Sequence, residues 1–224
     1  MNETFSLVMS YMPLILQGLL TTILVSCEAA VIGELVGLAL ALLRRGKSKI
    51  IKGIISVYIS FVRGTPLLVQ IFVIYYALAM IGIDIPASQA GVIALSLNSG
   101  GFVAEILRGG FSAIPKGQYE SGAALAMTKG QVTKRIILPQ VVKIVLPQFI
   151  TEFINVIKVS PLLSVITVVE MTRVAQRLVQ QTNVCVPFYL LIGVLYFVLC
   201  AALEGIVNLV SKKLDKSFNK LKEA

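Results

Sequence analysis

Residues 14–43 form an apolar run of 30 positions, interrupted by only two ionisable acids, Glu28 and Glu34. As a helix rising 1.5 Å per residue, such a run is about 45 Å long, more than the roughly 30 Å of hydrocarbon in a bilayer. A small water-soluble domain has no core large enough to bury it. Further apolar runs cover about 54–83, 87–107, 136–169 and 187–210. With 57% hydrophobic residues, 14% charged residues and a mean hydropathy of +0.89, lipid must serve as solvent for much of the chain. The expectation is an all-α integral membrane protein of about five transmembrane helices, with residues 1–224 forming a single transmembrane domain. The first run exceeds the bilayer and must tilt or protrude. The fourth, with Pro139, Pro147 and Pro161, must bend or break.

The net charge of +9 does not point to nucleic acid, because Lys and Arg cluster in short stretches between apolar runs. Five lie in 44–52, five in 108–135 and five beyond Val210. The alternate connections hold none around Asp84 and only Arg173 and Arg177 before the last run. By the positive-inside rule the amino terminus faces out and the carboxy terminus faces the cytoplasm, as an odd number of spans requires. Residues 1–12 contain Glu3 and no Lys or Arg, unlike the basic start of a cleaved signal peptide, so the first helix is expected to remain. Cys27, Cys185 and Cys200 are far apart and the chain has no histidine, so the usual metal-ligand spacings are missing and the cysteines read as packing residues.

The segment of about 114–135 is too polar to span. Gly117 and Gly130 punctuate it around the helix formers Ala123, Ala124, Leu125 and Met127, predicting a short helix, a turn and a second helix that leads into the membrane. Ser121, Gly122, Ala123, Ala124 and Ala126 leave its surface nearly bare, which permits close approach of a partner. Flanking Lys116, Lys129, Lys134 and Arg135 suit acids on that partner or anionic lipid head groups.

This stretch resembles the coupling loop of bacterial ABC importer permeases, EAA, three residues, Gly, nine residues, then I-x-L-P. Glu120, Ser121 and Gly122 stand for the triplet, Ala126 for the glycine, and Ile136 to Pro139 for the ending. The departures keep the side chains small, although Ala126 tolerates a left-handed turn less well than glycine. The resemblance narrows to the polar amino acid uptake group. Arg63 to Gln70 read RGTPLLVQ and are followed by Tyr75 and Tyr76; Asn98 to Arg108 resemble NSxxxxAEIxR, with Gly109 next; Pro115 to Gln118 resemble PxGQ; and Lys158 to Ser164 read KVSPLLS. The resemblance implies a second permease chain in a homodimer or heterodimer, ABC ATPase subunits docked on Gly117, Gln118, Glu120, Ser121, Gly122 and Ala126, and an extracytoplasmic solute-binding protein. It further implies an amino-acid substrate, alternating access, and residence in the cytoplasmic membrane of a bacterium. No phosphate-cradling Gly-x-x-x-x-Gly-Lys-Ser/Thr loop occurs, so ATP and Mg are expected on the partner ATPase, with no cofactor bound by this chain and no catalytic residue in it.

Polar residues inside apolar runs mark transport paths, because an ionised group at the bilayer centre costs roughly 2.5 to 3.5 kcal/mol. Beyond Glu28 and Glu34, which match no motif, these are Arg63, Asn98, Glu105, Glu152, Asn155 and Lys158. Arg63 and Glu105 are as well suited to internal pairing as to solute contact. Asn98, Lys158, Val159, Ser160 and Pro161 are the preferred solute residues. Pro161 biases its predecessor away from helix and is expected to free backbone groups, with Leu67 and Gln70 adding a wall and a hydrogen-bond partner. Val159 stands where the group often has an acid, which favours a neutral or sulfur-containing polar amino acid such as glutamine or cystine over arginine or lysine. The rival class is an ion- or proton-coupled secondary transporter using Glu28, Glu34, Glu105 and Glu152, but no internal repeat is evident. A membrane enzyme is the weaker rival, since no nucleophile lies beside a plausible base.

Overall fold

The computed structural model describes residues 2–222, all helices, turns and short connections. Helix α1 covers Asn2–Ser10, and α2, Met12–Arg44, is a 33-residue helix. Helices α3, Lys49–Gly64, and α4, Leu67–Met80, follow, and α5 is Ala87–Ser112. The polar hairpin folds as α6, Lys116–Ala124, and a single turn α7, Lys129–Val132. A wide π-type turn, Thr133–Ile137, leads into α8, Leu138–Val159, which tightens into a 3-10 segment, Ser160–Ile166. Helix α9 is Met171–Thr182 and α10 is Val186–Lys222. Four helical stretches are long and apolar enough to cross a membrane, or five if α3 and α4 count as one span. The basic residues counted beyond Val210 lie outside the residues whose side chains are described.

The expected second span, 54–83, is not one helix. α3 and α4 meet at 112°. The cause is local: Thr65, preceding Pro66, is held extended at φ −119° and ψ 148°, because the proline ring excludes the helical conformation before it. The same rule fails at the fourth span. Ser160 precedes Pro161 yet stays helical at φ −57° and ψ −28°; the missing N–H of Pro161 costs little at the start of a 3-10 segment, and the burial of Leu163 and Ile166 against α4 and α5 outweighs the steric preference before proline. The helix stops at Ile166 rather than Val169, and Thr167 turns the chain in the left-handed region at φ 69°. At the other end of α8, the Pro139 ring would crowd the carbonyl of Arg135, and the chain widens into the π turn there.

Helix α9 lies in what the hydropathy pattern leaves as a connection. Met171, Val174, Ala175 and Leu178 are buried at helical spacing, against Ile15, Phe188 and Ile192. Its first turn is capped by Glu170, whose carboxylate accepts from the N–H groups of Thr172 (2.8 Å) and Arg173 (2.7 Å). The most extensive helix pair is α2 with α5. Between them small residues allow close contact: Gly33 faces Ser96 and Ser99, and Gly37 faces Gly100 and Val103. The main apolar cluster joins α2, α4, α5, α8 and the 3-10 segment through Ala29, Ile71, Leu95, Val156 and Leu163.

Candidate functional site

The break between α3 and α4 leaves carbonyl groups without helical partners, and Gln70 collects them. Its side-chain amide donates to the Val62 carbonyl (2.9 Å), the Thr65 carbonyl (3.2 Å) and the Thr65 hydroxyl (2.8 Å). The Thr65 hydroxyl donates to the Phe61 carbonyl at 2.8 Å. On its other side Gln70 Oε1 accepts from Asn98 Nδ2 at 3.0 Å, tying the break to α5. Gln70 is buried and Asn98 half-buried, and Asn98 Oδ1 has no hydrogen bond among the described residues. An acceptor is thus fixed in direction and left unused.

The 3-10 segment touches both α4 and α5. Leu67 and Val159 pack against the same apolar cluster, joined by Leu162 and Tyr75. Ser160 is fully buried and donates to the Ile157 carbonyl at 2.9 Å, and Pro161 beside it is half-buried. Lys158 takes another direction. Its ammonium lies 3.7 Å from Glu204 on α10 and helps line a polar recess of about 390 Å³ with Thr151, Glu152 and Asn155. The structure therefore joins Gln70 and Asn98 at the α3–α4 break, packs Leu67 and Val159 on the apolar cluster that α4 and α5 share with the 3-10 segment, buries Ser160 at the start of that segment and turns Lys158 to another face.

Glu105 forms the centre of a charge cluster. Its carboxylate is 2.7 Å from Arg44, 2.9 Å from Arg108 and 3.5 Å from Arg63, joining the ends of α2, α3 and α5. All of the carboxylate's charge is committed to the arginines, which makes the cluster a structural clamp. Glu152 is buried and hydrogen-bonds Ser99 and Asn155. Sequence reasoning overlooked Glu170, which is 1% exposed and also accepts from the Tyr196 hydroxyl at 2.9 Å. Burial pushes the Glu170 carboxyl above the usual carboxylate range, while its hydrogen-bond donors act in the opposite direction. The available signal was an acid directly before an amphipathic 171–182 stretch, the pattern of a capped helix start.

In the polar hairpin, Gly117, Gln118, Glu120 and Ser121 are exposed on α6, as are Ala123 and Ala124. Gln118 accepts from the Gln140 side chain at 3.3 Å, connecting α6 to α8. Gly122 faces inward: a β-carbon there would approach Val132 to 2.5 Å, so its small size serves contact between α6 and α7. Thr128 and Gln131 close the turn with a reciprocal capping box at 2.8 and 3.3 Å. Ala126 has φ 53°, the left-handed conformation that glycine adopts without a β-carbon clash. Ala126→Gly is therefore expected to raise permease stability by about 1 kcal/mol, measured as a higher midpoint in thermal unfolding. A lowered midpoint would show that the loss of unfolded-chain order outweighs the relieved strain.

Residues 33–216 match the family model described as binding-protein-dependent transport system inner membrane component. A putative glutamine transport system permease protein of Rickettsia conorii is 38% identical over 202 residues, covering 89% of this chain and 92% of that protein. An arginine transport system permease protein of Bacillus subtilis is 35% identical over 218 residues, covering 97% and 100%. Among solved structures, an amino acid ABC transporter described with histidines superimposes with a TM-score of 0.89 at 38% identity, covering 92% of this chain and 96% of that one. Family members of this kind have no ATP site of their own and work with separate ATPase and binding-protein subunits. The membrane helices, the polar break and the exposed hairpin thus have a common setting: the chain belongs to the binding-protein-dependent inner membrane components, as the multi-pass permease subunit of a bacterial ATP-driven importer.

Proposed function

We propose that the chain, paired with a second permease chain, conducts a neutral or sulfur-containing polar amino acid through the region bounded by Asn98, Gln70, Leu67 and the 159–161 segment. The observation that carries this reading is the unused Asn98 Oδ1, aimed by Gln70 beside two interrupted helices. A carbonyl acceptor there suits a solute ammonium or side-chain amide, and irregular backbone within a span is tolerated where it lines a solute cavity. Ser160 and Pro161 shape the floor, whereas Lys158, paired with Glu204 on another face, is left out of the solute site. ATP and Mg belong to the partner ATPase, whose closure is transmitted through Gly117, Gln118, Glu120, Ser121, Gly122 and Ala126 to the bent spans. No finding favours an ion- or proton-driven mechanism.

Relatives named for glutamine and for arginine are similarly close, so the choice of solute rests on this chain's own residues. Val159 offers no charge to a guanidinium. The test is uptake of labelled glutamine, cystine and arginine by liposomes containing the permease, its ATPase and its binding protein. Glutamine or cystine is expected to be taken up in preference to arginine, and Asn98→Ala to reduce that uptake at least about tenfold, the value of one hydrogen bond to a charged group. Val159→Asp is expected to improve arginine uptake relative to glutamine by about tenfold, provided the binding protein is saturated with each. Arginine preference in the unmodified complex, or indifference to both substitutions, would sink the site assignment.

A further inference from the structure

A second cavity, of about 570 Å³, lies between the arginine-bearing ends of α2 and α5, the start of α8 and the hairpin helix α6. Its walls are apolar, with Leu38, Leu42, Leu146 and Phe149 among them, and Leu38 and Leu42 remain 45% and 62% exposed. At its rim are Arg44, Arg45 and Arg108. Arg44 and Arg108 share Glu105 with Arg63, whereas Arg45 has no ion pair among the described residues. The Arg45 guanidinium instead sits 4.1 Å above the Phe111 ring. Stacking holds a guanidinium in place and leaves its in-plane N–H groups free to bind an anion bidentately.

We propose that this cavity binds an anionic phospholipid, one acyl chain lying between α2 and α8 and the phosphate meeting Arg45. Excess positive charge over an apolar cleft matches a lipid with a negative head and a hydrocarbon tail. A second permease copy docked symmetrically through the same mouth would set arginine rim against arginine rim, an unfavourable isologous contact. Tyr119 also lines the cavity and immediately precedes Glu120. A lipid in place therefore touches both the spans and the hairpin, giving membrane composition a route to the coupling helix.

The experiment is native mass spectrometry of the purified permease–ATPase complex titrated with phosphatidylglycerol or phosphatidylcholine of equal chain length. One phosphatidylglycerol per permease chain is expected to be retained saturably, with phosphatidylcholine weaker by about fivefold or more. Arg45→Gln is expected to weaken phosphatidylglycerol retention by about fivefold and to narrow its advantage over phosphatidylcholine, whose phosphate makes the same contact but whose choline is repelled by the arginine rim. Val142→Trp, which fills the cleft from an exposed position on α8, is expected to displace both lipids. Millimolar inorganic phosphate is expected to leave the lipid bound, because the acyl chain supplies much of the affinity. Equal retention of the two lipids in all variants would overturn the proposal. So would loss of phosphatidylglycerol to inorganic phosphate, or cross-linking from position 142 to a second permease chain or to the ATPase in place of lipid.

Discussion

Gly37→Leu is expected to destabilise the permease by about 3 kcal/mol or more, the upper range for overpacking a tight contact. A β-carbon at position 37 alone would come within 2.4 Å of Val103 Cγ1 and 2.8 Å of the Gly100 carbonyl oxygen. The second of these is backbone and cannot rotate aside, so α2 and α5 would have to separate along the seam that joins them most extensively. In lipid or detergent little hydrophobic drive remains to close that gap again, because helix association there depends on close van der Waals contact. The measurement is thermal unfolding of the detergent-solubilised protein, with a drop of roughly 10 °C expected from a loss of this size. Gly53→Leu is the control, since nothing lies within 4 Å of a β-carbon there. Equal midpoints for the two variants would show that the seam yields without cost.

The second large effect is functional. Glu120→Lys is expected to reduce substrate-stimulated ATP hydrolysis and uptake at least about tenfold and to loosen co-purification with the ATPase, as a like-charge contact across an interface costs several kcal/mol. Glu120 is exposed on α6 and makes no hydrogen bond or ion pair among the described residues. Its replacement should change the stability of the isolated permease by no more than about 0.5 kcal/mol. That separation makes the result decisive: normal unfolding with lost coupling assigns Glu120 to the partner interface, whereas normal coupling removes it from that role.

The hairpin was the most legible part of the molecule. Its helix, turn and second helix depend on neighbours in the chain, on Pro115 at the start of α6, the Thr128 to Gln131 capping box and the spacing from Glu120 to Pro139. Even so, the inward position of Gly122 came only with Val132 in place. Helix α9 was legible in principle, since its buried residues recur at helical spacing, but hydropathy averaged over a span-sized window conceals a 12-residue amphipathic helix. The two X-Pro steps show the limit of local rules. Thr65 obeys the steric preference before proline and breaks the second span; Ser160 does not, within a segment whose Leu163 and Ile166 are buried against α4 and α5.

Gln70 makes the same point for the candidate site. In the chain it is one amide in an RGTPLLVQ stretch, while in space it satisfies the carbonyls of a 112° bend and orients Asn98, 28 residues away. The amino-acid sequence alone determined that the chain is an all-helical membrane protein and an importer permease with a polar helical hairpin between two spans, because apolar run length, charge placement and local motifs are properties of neighbouring residues. Tertiary structure alone decided that Lys158 and Val159 part company, that Glu105 is shared by three arginines, and that glycines hold α2 to α5. Each of these follows from distances between segments remote in the chain, where packing and the need to satisfy polar groups outweigh local preference.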